Sequence, residues 1–529
     1  MANPLKQLAG ETAIYGLSTI LARIINFLFV PFYTRLLTTA SYGVVTEFMA
    51  YIAVLQVILV LGLETGCFRF ANKDGVNPIA VYTNALATTF GISFSFLACM
   101  VIFATPIADA LGYEGYQACI IYVGGILALD STTAILFAKL RQEHKALKFA
   151  IFKTIKILTE TAANIVLFFL FPAHCAKVAA TIYPEISPEL AISQLSSKDV
   201  WMLNFISATP DFSYVIFAIL LSCIVCALLF IPDLFKLSFK FDGKLLKKML
   251  AYSIPLMIAA LPGIVNDFLD RILFRFLDTN AEAWRSSLGI FQAAVKISVI
   301  MSLFIQMFRF AAEPFFFQRV KDKNSKELYA IVMEFFTAFC GLIFLGVILY
   351  IDVFSLILGR DFRSGIGVVP IMLLSYMLLG MLFNVSMWYK LSEKTNMAIY
   401  ITLAGLAVTI VINVLFMPRY SYWAAAFGHL GSYLVMFIIS ALLGAHYYPI
   451  PYKWGKILFF FLLMGAFFGI SLGLDKILFG GGVTIGKTET WKVICELLAH
   501  TAILGLYAIT CWKVLKPRYR LMLKEANGK

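Results

Sequence analysis

The sequence predicts an all-α integral membrane protein with about fourteen transmembrane helices. Two six-helix lobes in parallel pseudo-repeat are followed by two C-terminal helices. Three observations predict this. Apolar stretches of roughly 20 residues, the length a helix needs to cross a bilayer core, recur along nearly the whole chain. The composition excludes an ordinary soluble domain: of 529 residues, 61% are hydrophobic and only 14% charged. Finally, basic residues are dense in alternate gaps between the apolar stretches and sparse in the others, as the positive-inside rule requires.

The elements follow in order. The first apolar stretch, 11–34, comes after a short segment whose one basic residue is Lys6. It is too long for the apolar core of a signal peptide and lacks an A-x-A-like cleavage site, so it reads as an uncleaved span. Five more spans are expected at 42–65, 80–106, 115–138, 149–172 and 211–232, completing an N-lobe over 1–232. Phe171 to Asp211 is the longest less apolar interval and reads as a loop. Phe235 to Leu250 alternates apolar residues with five lysines, which suits an amphipathic connector lying along the cytoplasmic interface, at 233–248, or an ordinary basic loop. Spans at 249–277, 285–313, 330–357, 365–389, 396–417 and 422–445 form a C-lobe over 249–450. The remainder, 451–529, holds spans at 455–479 and 491–512 and a basic tail.

Counting Lys and Arg between these spans tests the number. One side collects about 26, including Lys139, Arg141, Lys145 and Lys148 in one loop and the whole C-terminal tail, against about 10 on the other. A missed or extra span would scramble that alternation, so both termini are expected in the cytoplasm. The same alternation accounts for the net charge of +13 without a nucleic-acid partner. The nine cysteines lie mostly inside apolar stretches, including the C-x-x-C of Cys223 and Cys226, and read as inert packing, with no metal or cofactor implied.

Short matches suggest that the lobes repeat. Arg35-Leu36-Leu37 and Ser41-Tyr42-Gly43 are echoed by Arg275-Phe276-Leu277 and Ser287-Leu288-Gly289, and Phe68-Arg69-Phe70 by Phe308-Arg309-Phe310. Six spans per lobe give the halves one orientation, an arrangement used by transporters.

Charges inside a bilayer are costly and mark function by default. Here they gather in the first two spans of each lobe: Arg23; Glu47 and Glu64; Asp267, Asp270, Arg271 and Arg275; Lys296, Arg309 and Glu313. Thr12, Thr19, Arg23, Asn26 and Thr34 fall on one arc of the first helix, which faces water or protein rather than lipid. Arg23, Asn26, Arg271, Arg275 and Lys296 are the candidate lining of a polar cavity, whose cationic excess suits an anionic, phosphate-bearing substrate. Asp267 and Asp270 are candidates for a coupling Na⁺ or H⁺. Glu47, Glu64, Arg309 and Glu313 are candidate gating or structural charges. Asp267 with Arg271 and Arg309 with Glu313 are each four residues apart and also read as structural ion pairs. Lys153 and Lys156 read as side chains that snorkel from the cytoplasmic end of the fifth span. Asp130 stays open between roles.

The motifs Thr34-Arg-Leu-Leu-Thr-Thr-Ala-Ser-Tyr-Gly43, Gly62-Leu-Glu-Thr-Gly-Cys-Phe-Arg69, Tyr252-Ser-Ile-Pro255, Ala312-Glu-Pro-Phe315 and Asn384-Val-Ser-Met-Trp-Tyr-Lys390 keep a distinctive order. Together they resemble the polysaccharide transporter branch of the multidrug/oligosaccharidyl-lipid/polysaccharide exporter superfamily. The resemblance implies a flippase in the bacterial inner membrane. Its substrate would be a polyprenyl-pyrophosphate-linked oligosaccharide, moved from the cytoplasmic to the periplasmic leaflet by alternating access, with other polysaccharide-assembly membrane proteins as partners. Arg23, Asp270 and Arg271 fall where the family's route-lining charges are expected. The alternatives are a drug exporter of the same superfamily, which the basic excess disfavours, and a membrane polymerase or acyltransferase. No nucleophile–histidine pair, metal cluster or phosphate-cradling loop supports an enzyme.

Overall fold

The computed structural model describes residues 16, 20–21, 23–235, 241–278, 283–319, 324–392, 394–479 and 490–526. No strand occurs among them, and thirteen helices are long and apolar enough to cross a membrane. The expected first span falls partly outside the described residues; its later part is helical from Arg23 onward and ends in α1, Val30–Leu36. The chain is a multi-pass membrane protein. Large apolar side chains such as Ile102 (71% exposed) and Leu442 (67% exposed) point outward, as they do when lipid is the solvent.

The chain divides into two compact units, at Arg275/Phe276. Unit 1 holds α1, then α2 (Thr39–Val60), α3 (Leu63–Ala71), α4 (Pro78–Ile102), α5 (Ala104–Ala110), α6 (Gln117–Gln142), α7 (Ala146–Ile165), α8 (Phe171–Ile182), α9 (Pro188–Ser193), α10 (Phe212–Leu229), α11 (Ile231–Leu234) and all but the end of α12 (Gly243–Leu277). Thr38 caps α2 by accepting from the Ser41 amide at 3.1 Å. The second span is broken by two consecutive left-handed residues, Leu61 (φ 55°) and Gly62 (φ 66°), and restarts as α3. A Cβ on Gly62 would stand 2.6 Å from the Ser253 carbonyl oxygen, and one on Gly66 would overlap the Ser253 hydroxyl. These two glycines let α3 lie directly on α12.

Two expectations need correction here. The interval from Phe171 is no loop at first: a π-helical turn at Val166–Leu170 carries α7 into α8. Pro172 is tolerated in the first turn of α8, and the alanines that follow favour helix. In the connector, Lys236 and Lys240 lie outside the described residues, while Lys244, Lys247 and Lys248 form the first turns of α12. Asp242 caps that helix through the Lys244 amide at 3.0 Å. The buried Asn84 of α4 donates to the Asp242 carbonyl and accepts from its amide, both at 2.9 Å, fixing where α12 begins. The core beneath includes Leu63, Cys67, Val81, Ala85, Ile135 and Met249, from α3, α4, α6 and α12.

Unit 2 holds α13 (Trp284–Arg319), α14 (Ser325–Ile348), α15 (Ile351–Ser355), α16 (Val369–Val385), α17 (Met387–Leu391), α18 (Met397–Tyr420), α19 (Tyr422–Tyr447), α20 (Trp454–Phe479) and α21 (Thr490–Ala526). α18 and α19 form a closely packed hairpin, and α16 packs on α19 and α13. The last two helices dock on α14 by a polar contact as well as an apolar one. Glu334 of α14, fully buried, lies 3.4 Å from Lys456 Nζ of α20 and 3.4 Å from Arg518 Nη2 of α21. Tyr507 of α21 donates to the Ala338 carbonyl at 3.2 Å beside Gly341, where a Cβ would collide with the phenol.

Candidate functional site

The charges of unit 1 are sorted by the helices that carry them. Glu47 sits in the middle of α2 and is completely buried. Such a carboxylate survives only with partners. Tyr51, one turn on, donates to Oε1 at 2.8 Å, and Tyr113, from the segment after α5, donates to Oε2. Arg275, near the end of α12, places Nη1 3.5 Å from Oε1 and donates from Nη2 to the Ala110 carbonyl at 3.1 Å. Phe48 and Phe212 pack against the Tyr113 ring, with centroids 5.0 Å and 6.0 Å away. One carboxylate therefore ties α2, the turn after α5 and α12 together. Removing a single partner of a buried pair costs about 3–5 kcal/mol. The ties of Arg275 to Glu47 and Ala110 bear directly on its reading as a cavity residue.

Arg271, one turn before Arg275, is half-buried. It stacks 4.5 Å over the Phe268 ring and lies within electrostatic reach of the buried Tyr42 hydroxyl on α2. Asp270 is buried and Asp267 exposed, so the two candidate ion ligands face different surroundings. Arg23 and Asn26 are both exposed. Thr34, expected on the same polar stripe, is instead buried and donates to the Val30 carbonyl at 2.8 Å; Thr12 and Thr19 lie outside the described residues. A helix restart at Val30, before Pro31, separates the two parts of that stripe.

At the other end of the second span, Glu64 accepts from Arg141 Nη2 at 2.9 Å, an ion pair between α3 and α6 with both side chains more than a third exposed. Arg69 stacks 4.0 Å over Tyr252 of α12. Glu47 and Glu64 are thus anchored separately on either side of the Leu61–Gly62 break.

A third cluster was not expected. Asp130, mid-way along α6, pairs with Lys156 Nζ of α7 at 2.5 Å and accepts from the Cys223 thiol of α10 at 3.3 Å. Lys153 lies 4.5 Å over the Phe137 ring. The snorkelling expected of both lysines is therefore corrected: they turn into unit 1, because a half-buried aspartate and an aromatic face are available there. No local spacing links residues 130 and 156, so the sequence held no signal for the pair. Tyr51, at i+4 from Glu47, was the one partner that periodicity could have found.

In unit 2, Lys296 is half-buried on α13. Arg309 is exposed and lies 4.8 Å over Phe383 of α16; the Glu313 side chain lies outside the described residues.

A family model described as "Polysaccharide biosynthesis protein" matches residues 8–320, more than half of the chain. The chain belongs to the polysaccharide biosynthesis protein family. The match covers the whole of unit 1 from residue 8 onward and bears out the transporter-branch resemblance read from the motifs. No curated protein matches by sequence. Among solved structures, one titled "Lipid II flippase MurJ, inward closed conformation" is similar with a TM-score of 0.58. It is 13% identical, over 94% of this chain and 98% of that chain. A second, titled "protein A", gives 0.54 at 12% identity over 84% and 96%. At such identities the likeness is one of fold. This member of the polysaccharide biosynthesis family therefore shares the fold of that flippase, helical throughout its described residues.

Proposed function

We propose that the protein is a flippase in the bacterial inner membrane, with both termini cytoplasmic. It moves a polyprenyl-pyrophosphate-linked oligosaccharide from the cytoplasmic to the periplasmic leaflet by alternating access. The family match over residues 8–320 is the observation that carries this reading. The thirteen membrane-length helices among the described residues and the fold's likeness to a lipid II flippase support a lipid-borne sugar as the substrate class.

The chemistry falls to the accessible cations. Arg23 and Arg271 bind the pyrophosphate, Arg offering a planar fork for phosphate oxygens, with Asn26 donating hydrogen bonds. Arg275, held by Glu47, positions this row rather than contacting the headgroup first. Buried Asp270, with Asp267, is the proposed carrier of a coupling H⁺ or Na⁺; the membrane potential supplies about 2.3 kcal/mol per charge per 100 mV in addition.

The test is the sidedness of the lipid-linked oligosaccharide in a deletion strain. The intermediate is expected to accumulate in the cytoplasmic leaflet and to be cleared by the native chain but not by Arg23→Ala or Arg271→Ala at equal expression. Normal delivery to the outer leaflet without the protein, in a strain with no second flippase, would overturn the reading. Heightened drug sensitivity instead would identify an exporter.

A further inference from the structure

The last two spans bring three metal-ligating side chains together, outside the row of charges described above. Glu496 and His500 are one turn apart on α21 and share a face. Asp475 comes from α20. One ligand atom of each lies within 4.8 Å of those of the other two. Glu496 is 5% and His500 6% exposed. His500 Nε2 stands 3.0 Å from Asp475 Oδ1. The other ring nitrogen, Nδ1, is buried with no hydrogen-bond partner among the described residues. Asp352, on α15, is close enough to feel both Asp475 and His500 electrostatically, so carboxylates outnumber the imidazole. Tyr350, just before it, shares a 2.6 Å hydrogen bond with Thr501 of α21.

A cation held between His500 Nε2 and the Asp475 and Glu496 carboxylates would replace the His500–Asp475 hydrogen bond with coordination by all three side chains, the imidazole then carrying its proton on Nδ1. One imidazole with two carboxylates is a nitrogen–oxygen set that suits Zn²⁺, with a fourth position open to water. Ca²⁺ and Mg²⁺ prefer all-oxygen surroundings.

We propose that Glu496, His500 and Asp475 form a zinc site that staples the two C-terminal spans together. Through Tyr350 and Thr501 it also holds the turn that follows α14.

The test uses the full-length, untagged protein in detergent, stripped with EDTA and dialysed against zinc chloride, with bound metal and melting temperature as readouts. The native chain is expected to retain one zinc, and to melt higher with zinc than without. His500→Gln and Glu496→Gln are expected to bind zinc at least about tenfold more weakly and to lose the zinc-dependent rise. Where either fails to fold, Asp475→Asn, whose carboxylate is half-exposed, carries the comparison with the same expected loss. Zinc retention by the variants equal to the native chain's, or none by the folded native chain, overturns the proposal. So does a melting temperature that follows pH but not zinc.

Discussion

At the scale of single residues, the charge that matters most is the one with most partners. Glu47→Gln should lower stability by about 3 kcal/mol, because the Arg275 guanidinium would lose the fully buried Glu47 carboxylate. Arg275→Gln should cost a similar amount. The double variant should cost clearly less than the sum, as thermal or denaturant unfolding in detergent would show; strict additivity would mean that the 3.5 Å pair carries no coupling. A weaker case lies just past α6. Burial pushes the Glu143 carboxyl up, but Lys145 at 2.6 Å and Lys139 at 3.5 Å outweigh it and hold it below the ordinary carboxylate range. A depressed folded value makes its contribution fully present above the unfolded pKa of about 4.3 and lost as pH falls through the folded one. Glu143→Gln should therefore lower the melting temperature slightly at pH 7 and leave it unchanged at the acid limit, the effect being small because both partners are partly solvated. The sequence showed which residues were charged at membrane depth. It could not show that Glu47 and Arg275, 228 positions apart, meet. Local spacing favoured i,i+4 partners, and the deciding contacts are between helices.

At the scale of elements, helices were legible because bilayer thickness fixes their length. The breaks within them were less so. Leu61–Gly62 divides the second span inside the apolar stretch read at 42–65. Gly62→Ala should destabilise by about 1–3 kcal/mol, since the new methyl meets both a positive φ and the Ser253 carbonyl oxygen. Gly75 has a positive φ too, but with nothing near, so Gly75→Ala should cost less; equal losses would mean that the approach to Ser253 is unimportant. The π turn before α8 was hidden for another reason: Phe171-Pro172 reads as a stop signal, yet proline is acceptable in a helix's first turn.

At the scale of the whole molecule, the recurrent apolar stretches foretold a helical protein of about fourteen spans, and the motif order foretold the family. Neither could reveal that most of α12 is compact with unit 1, since connectivity through a lysine-rich segment looks like a boundary. The flippase reading belongs to this scale, and leaflet sidedness with Arg23→Ala and Arg271→Ala decides it. The buried Glu334 also makes demands on biogenesis. Its first partner, Lys456, is encoded 122 residues later, and Arg518 later still. At about 5–20 residues per second, the ribosome needs about 6–25 s to supply even the first of them. For that interval a carboxyl destined for the interior enters the bilayer ahead of its cations. It must be inserted protonated or be sheltered by the insertion machinery, so release of the last helix from the ribosome is also the moment at which α14 can settle.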